Sequence, residues 1–350
     1  MTNSAAPLGS PENPVRIGTR ASLLATTQTA TVTRFLEEAG LATQTIHITT
    51  EGDTARASLS TLGGVGVFAA RLRAALLDGE CDVAVHSAKD LPAGDVEGLA
   101  IGAYPLRERT ADVLVSADGS TLASLPAGAR IGTGSPRRAA QILAARPDLE
   151  MVDIRGNVTT RLGRVRGRGF EGAGDLDGVI LAYAGLARLG LAEYVTEVLD
   201  NVLIPAGAQG ALAVEVRAGD LSNEQGARLT EALRRLDHGP TRLAVEAERA
   251  FLRALEAGCS APIGVRGRID GDVLHLDGRV VSLDGSRIVQ HSTDTVLSLD
   301  EGPSSAAAVQ QAQRAGEDLG LYLIEHGARD ITALSASKNT DEKTLWGEAQ

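Results

Sequence analysis

The sequence predicts an α/β protein built on layered, largely parallel sheet, with a smaller α+β module at its C-terminal end. Three observations predict this. Short apolar runs alternate with stretches of helical period as far as Asp220. Basic and hydroxylated residues recur just after those runs end, where open α/β sheets place their ligands. Beyond Asp220, two helical stretches are followed by runs of alternating polarity.

In chain order, strand-like runs fall at Val15–Gly18, Thr45–Thr49, Asp82–His86, Arg130–Gly132, Met151–Ile154, Val179–Ala182 and Ala211–Val216. Helical periods follow at Ser22–Glu38, Phe68–Leu77, Pro136–Ala145, Val158–Val165 and Ala184–Leu189. The C-terminal module begins with helices at Asn223–Leu236 and Thr241–Glu256. It continues with alternating runs at Gly264–Ile269 and Val273–Val281 and ends with a helix at Ser304–His326. The polar ends, residues 1–14 and 336–350, are expected to be disordered.

Composition bounds the function. A chain of 350 residues that is 43% hydrophobic can bury a sizeable core and divide into two or three domains. Two cysteines are too few for a secreted disulfide framework, no run approaches a membrane span, and no secretory signal is visible. We therefore expect a soluble cytoplasmic protein. The net charge of −11 argues against nucleic acid or an anionic membrane as partner. Yet nine arginines and three acids (Asp148, Glu150, Asp153) lie between Arg130 and Arg168, which suits a small polyanion. The chain has three lysines (Lys89, Lys338, Lys343) against 31 arginines, so arginine alone is weak evidence and Lys89 is conspicuous.

Four segments carry candidate chemistry. Val15-Arg-Ile-Gly-Thr-Arg-Ala-Ser22 runs from strand into helix, where Thr19, Arg20 and Ser22 face free N–H groups; ordinary capping by Ser22 explains it equally well. In Val83-Ala-Val-His-Ser-Ala-Lys-Asp90, a cation and an anion sit side by side at a strand end. There Asp90 could stabilise a cationic intermediate or deliver a proton, whereas His86 reads as a satisfied strand-end residue. Ile131-Gly-Thr-Gly-Ser-Pro-Arg-Arg138 enters a helix through Thr133 and Ser135, with Pro136 at its first position and Arg137 and Arg138 behind it. Ile154-Arg-Gly-Asn-Val-Thr-Thr-Arg161 repeats the design with Arg155 and Arg161, and Arg188 adds a further guanidinium. Fourth, Cys259 lies in a Gly–Cys–Ser–Ala–Pro turn, an unusual place for a core thiol, and reads as a tether more than a turnover nucleophile. Cys81 reads as core. The six histidines show no metal-ligand spacing, and Leu62–Phe68 reads as a glycine-rich lid.

From about residue 15 to 335 these segments resemble the porphobilinogen deaminase (hydroxymethylbilane synthase) family. The resemblance rests on the ordered set IGTRxS, TxGD, GGxGxF, VHSxKDLP, GTxSxRR, RGNxxTR, AGLxRLG, PAxxQGAL and EAGCSAPIG. It implies two type II periplasmic-binding-protein-like α/β domains, 15–108 with 211–230 and 109–210, separated by a cleft, and an α+β C-terminal domain, 231–335. It implies a transferase that deaminates four porphobilinogens, joins them head to tail on a dipyrromethane cofactor held covalently by Cys259, and releases hydroxymethylbilane. Asp90 would be the catalytic group. Lys89, Arg20, Arg137, Arg138, Arg155, Arg161 and Arg188 would bind acetate and propionate side chains, with Ser22, Thr133, Ser135, Gly156 and Gln209 in matching cofactor positions. The implied state is a cytoplasmic monomer without metal, nucleic acid or membrane. The rival class is a non-catalytic two-lobed anion-binding protein, which would need neither Lys89–Asp90 nor Cys259. Departures from the family pattern are Glu51 in TxGD, Thr61 and Val65 in place of loop lysines, Thr110-Ala111-Asp112, and an inserted surface loop at 164–175.

Overall fold

The computed structural model describes residues 6–48, 67–256 and 261–331. The chain forms two compact units. The first comprises Met1–Glu108, Ala211–Leu243 and Leu299–Ala308; the second comprises Arg109–Gly210, Ala244–Ser298 and Val309–Gln350.

The first unit begins with β1 (Val15–Thr19), whose Val15 and Ile17 point into the core. Helix α1 (Leu23–Glu38) follows, its first turn closed by the Ser22 hydroxyl accepting from the Ala25 N–H at 3.3 Å. Gly40, at φ 83°, ends it in a left-handed cap, with Leu41 N–H bonded to the Leu36 carbonyl. β2 (Thr43–His47), α2 (Val67–Leu77), β3 (Val83–Ser87) and β4 (Leu99–Ala103) complete its first half.

The second unit carries β5 (Asp112–Ser116), β6 (Arg130–Gly132), α3 (Pro136–Ala145), β7 (Glu150–Val152), α4 (Val158–Leu162), β8 (Gly178–Ala182), α5 (Tyr183–Arg188) and β9 (Glu197–Val198). The chain then supplies β10 (Leu212–Arg217) and α6 (Ala227–Leu236) to the first unit. Helix α7 (Gly239–Ala254) leads to β11 (Ile263–Asp270), β12 (Val273–Val281), β13 (Ile288–Val296), α8 (Ala306–Glu325) and α9 (Ala328–Ile331).

Two five-stranded sheets have matching orders, β2-β1-β3-β10-β4 and β7-β6-β8-β5-β9. In each, three strands run parallel and a fourth, β10 or β5, lies antiparallel between the third and the edge strand. This is the arrangement of type II periplasmic-binding-protein-like domains. A third sheet, β11-β12-β13, is antiparallel throughout.

The sheets are thus mixed, where strand–helix alternation pointed to parallel pairing. The strands β4, β5, β9 and β13 went unread. β5 is buried along its whole length, as β10 nearly is, though β10 was read. Residues 6–14 are ordered against the expectation from their polarity. Leu8 joins the first sheet's core, and Gly9 accepts from Ala42 N–H at 2.9 Å. Residues 164–175, read as a surface loop, are held by side-chain contacts. Arg164 pairs with Asp175, Arg166 with Asp177 at 2.8 Å, Arg168 donates to the Ser116 carbonyl, and Phe170 packs edge-on against Tyr194.

Beneath the first sheet lies a charged cluster. Glu215 on β10 accepts from Arg73 Nε at 3.0 Å, and its other oxygen lies 3.1 Å from His86 Nε2. Burial would raise this carboxyl, yet His86 and Arg73 together hold it below its ordinary value. His86 is thus a buried strand-end residue beside Glu215, but its Nε2 makes no hydrogen bond there, so the expectation of a satisfied histidine is not met. Glu215→Gln strands a buried guanidinium beside a neutral amide and should lower unfolding free energy by about 3 kcal/mol, read as a fall in urea midpoint with unchanged slope.

Candidate active site

In the first unit β1 and β3 are parallel neighbours, so the segments leaving their carboxyl ends share one edge of the sheet. Arg20 and Ser22 follow β1, and Lys89 and Asp90 form the single 3-10 turn that follows β3. That turn is tied down by Ala88 N–H to the Ala211 carbonyl at 3.0 Å. Ser87, at the end of β3, accepts from the buried Gln28 amide at 2.9 Å. Lys89 and Arg20 are half-buried. Asp90 is exposed, and among the described residues no hydrogen bond or ion pair is recorded for its carboxylate. Ser22 caps α1 through its oxygen, which accepts from the Ala25 N–H. Cys81 is fully buried against Gly18, and burial pushes its thiol up to about 11, so it is a core thiol as expected.

The second unit repeats the design at the carboxyl ends of β6, β7 and β8. Thr133 is buried after β6, its hydroxyl accepting from Ser135 N–H at 3.3 Å, and Ser135 opens α3. Gly134 admits no side chain, since a Cβ there would meet the Ile154 carbonyl at 2.5 Å. After β7, Arg155 reaches solvent and contacts Asp153 at 3.0 Å. Gly156 takes φ 104°, a conformation that favours glycine, and its carbonyl accepts from Arg161 Nε at 2.9 Å. Asn157 caps α4 through the Thr160 N–H. Arg188, at the end of α5, donates to the Gly210 carbonyl at 2.6 Å.

Arg137 and Arg138 are different. Both are buried, and both grip Asp112, at 2.7 and 2.8 Å. Arg137 also donates to the Ile204 carbonyl at 2.7 Å, and the buried Gln209 amide donates to Asp112 at 2.8 Å and to the Thr110 carbonyl at 2.7 Å. Burial alone would raise the Asp112 carboxyl, but the two guanidinium charges and the Gln209 amide drive it far below the usual carboxylate range.

The local excess of arginine is therefore smaller than the sequence window suggests. Arg130 pairs with Glu150, Arg146 with Asp148, and the pairs of Arg137, Arg138, Arg164 and Arg166 end on acids outside that window. Asp112 is the residue that sequence reading missed as a site anchor. Its signal was an acid opening an otherwise apolar run, Asp-Val-Leu-Val. Cys259, Glu51, Thr61, Val65 and the glycine-rich segment up to Gly66 lie outside the described residues.

Comparison with known proteins gives a consistent result. The family described as "Porphobilinogen deaminase, dipyromethane cofactor binding domain" matches residues 15–225, and "Porphobilinogen deaminase, C-terminal domain" matches residues 242–324. The porphobilinogen deaminase of Cutibacterium acnes is 52% identical over 337 residues, covering 93% of this chain and 99% of that protein. That of Micrococcus luteus is 49% identical over 348 residues, covering 89% and 92%. Among solved structures, the substrate-binding protein of a methionine transporter from Streptococcus pneumoniae aligns with a TM-score of 0.40. It is 11% identical, over 67% of this chain and 93% of that one.

Asp112→Asn leaves two buried guanidiniums without a counter-charge and should cost about 3–5 kcal/mol of stability. Because the folded carboxyl is depressed, its contribution is complete above the unfolded value of about 3.9 and is lost as pH falls towards the folded value. Urea titrations should show a constant gap between wild type and variant from pH 8 to 5, narrowing below about pH 4.

Proposed function

The chain belongs to the porphobilinogen deaminase family, transferases also called hydroxymethylbilane synthases, and from that premise we propose how its residues divide the work. Porphobilinogen is the substrate. Four molecules are deaminated and joined head to tail, and hydroxymethylbilane is released. The reading is carried by one observation: an exposed carboxylate next to a lysine at the terminus of β3, together with guanidinium or hydroxyl groups after β1, β6, β7 and β8.

The family's dipyrromethane cofactor is itself a polycarboxylate, and the donor set suits it. Arg155 is exposed and its partner Asp153 partly so, with the pair made through the outer carboxylate oxygen, which leaves the guanidinium open to exchange with a ligand carboxylate. Arg161, Arg188 and Arg20 add guanidiniums, Lys89 a compact ammonium, and Ser22, Thr133, Ser135 and Gly156 small groups at helix starts. Cys259, which follows α7 in sequence, would hold the cofactor as a thioether. When bound, the cofactor supplies a tethered primer, which turns each coupling into an intramolecular event.

Asp90 is the catalytic group. Loss of ammonia leaves positive charge on the porphobilinogen ring, and the Asp90 carboxylate stabilises that charge more than it does the neutral ring. Lys89 cannot take this part, because an ammonium repels the developing cation; it binds a ring carboxylate instead. Arg137 and Arg138 share their charge with Asp112, so the net charge of that trio is +1 and one added carboxylate neutralises it. On this reading the enzyme works as a cytoplasmic monomer; no described helix is long and apolar enough to cross a membrane.

Purified protein from a host that makes porphobilinogen should weigh more than its sequence by two pyrrole units, and Cys259→Ser should remove that mass in an intact-mass spectrum. Asp90→Ala should keep the urea midpoint and lose turnover by about a thousandfold or more; full activity in that variant would sink the catalytic assignment. Arg155→Leu should stall assembly at one chain length, seen as a single accumulated adduct mass, and an unchanged distribution of adducts would remove Arg155 from the carboxylate set.

A further inference from the structure

Glu248 lies in the middle of α7 and is fully buried. Its two oxygens are both used as backbone acceptors: Oε2 takes the Ala208 N–H at 2.5 Å, and Oε1 takes the Gly267 N–H on β11 at 2.6 Å. Ala208 is held in the left-handed region at φ 61°, one of two non-glycine residues there among the described residues. A Cβ is disfavoured in that conformation, so something must hold it. The residue after it is Gln209, whose amide is bonded to Asp112 and the Thr110 carbonyl. Asp112 in turn sets the two guanidiniums of Arg137 and Arg138.

The turn cannot escape by sliding. Gly207 has no room for a Cβ against Leu252 and Val265, and Val265 N–H bonds to the Pro205 carbonyl at 2.9 Å. A carboxylate is the one side chain that accepts from two N–H groups with two oxygens at this reach and offers no donor in return.

We propose that Glu248 is a positioning residue for the reaction: its carboxylate locks the strained Ala208 turn, and through Gln209 and Asp112 it fixes the guanidiniums of Arg137 and Arg138 for ligand carboxylates. This rests on the carboxylate-binding reading of those arginines.

The test uses the full-length holoenzyme with Glu248→Gln, Ala208→Gly, the double variant and Arg138→Leu. Glu248→Gln puts an amide donor against one of the two N–H groups. It should raise KM for porphobilinogen about tenfold with kcat within twofold, the size expected for loss of one charge-assisted hydrogen bond. It should also speed exchange of the Ala208 amide about tenfold. Ala208→Gly removes the strain, so alone it should raise the urea midpoint, and in the double variant it should bring KM back to within about threefold of wild type.

A merely structural Glu248 would lower the urea midpoint and leave KM unchanged, which overturns the proposal. A fall in midpoint on Ala208→Gly, or no recovery in the double variant, overturns it as well. If Glu248→Gln does not fold, Glu248→Asp keeps the charge with a shorter reach, and an unchanged KM there is equally decisive. Arg138→Leu separates the premises: an unchanged KM in that variant refutes the carboxylate-binding role of Arg138, whereas a raised KM there with a normal one in Glu248→Gln refutes only the positioning role.

Discussion

Asp112 is a carboxylate with no exposure to solvent, flanked by two guanidiniums that are almost as deeply buried. None of the three could occupy the interior alone, since an unpaired buried ion costs several kcal/mol even after relaxation. Together they leave one net positive charge, and the hydrogen bonds from Gln209 and to the Ile204 carbonyl satisfy much of their remaining capacity. The cluster joins β5, α3 and the segment 204–209, three pieces far apart in sequence. It therefore acts both as an anchor for the second sheet and as the foundation on which the proposed carboxylate grip stands.

The sheet topology does the complementary work. Parallel strands end on one edge with their carbonyl termini exhausted, and the helices that follow begin there with unsatisfied N–H groups. Small residues at those turns let the backbone fold tightly: Gly134 lies against the Ile154 carbonyl, and Gly156 adopts a conformation that a Cβ would oppose. Long basic side chains on the same turns then extend over groups already favourable to anions. The antiparallel β10 and β5 begin at this same edge, Leu212 opposite Ser87 and Asp112 opposite Ala182, so the segments that enter them add the Ala211 and Thr110 carbonyls there.

Much of this was legible in the sequence, and the failures have physical causes. β6, α3 and β12 carry the bounds read from periodicity, because Pro136 and flanking glycines punctuate them. The strand β5 was missed, although β10, almost as completely buried, was read. Residues 6–14 misled in the other direction: one leucine, Leu8, and a few backbone hydrogen bonds order a segment whose composition is polar. The arginine count misled for a third reason. Charge balance is settled in space, and the acids that neutralise Arg137, Arg138, Arg164 and Arg166 lie outside the stretch in which those arginines were counted.

Exposure separates the roles that residue type leaves merged. Asp90 and Asp112 are both aspartates at the border of a buried strand, and each has a cationic neighbour in sequence or space. Asp112 is sealed and saturated, so its charge is committed and any proton it could exchange lies far outside the working range. Asp90 is open to solvent on a short turn braced by the Ala88–Ala211 hydrogen bond. On the proposed reading the catalytic group meets four successive substrate molecules and has to be reachable and firmly mounted; of these two aspartates, Asp90 is both. The same contrast divides the arginines: Arg155, half exposed, is free to trade its partner, while Arg137 and Arg138 contribute from a fixed position. On that reading a growing polycarboxylate uses both kinds, exchangeable guanidiniums to pass each new ring along and immovable ones to keep the chain in register.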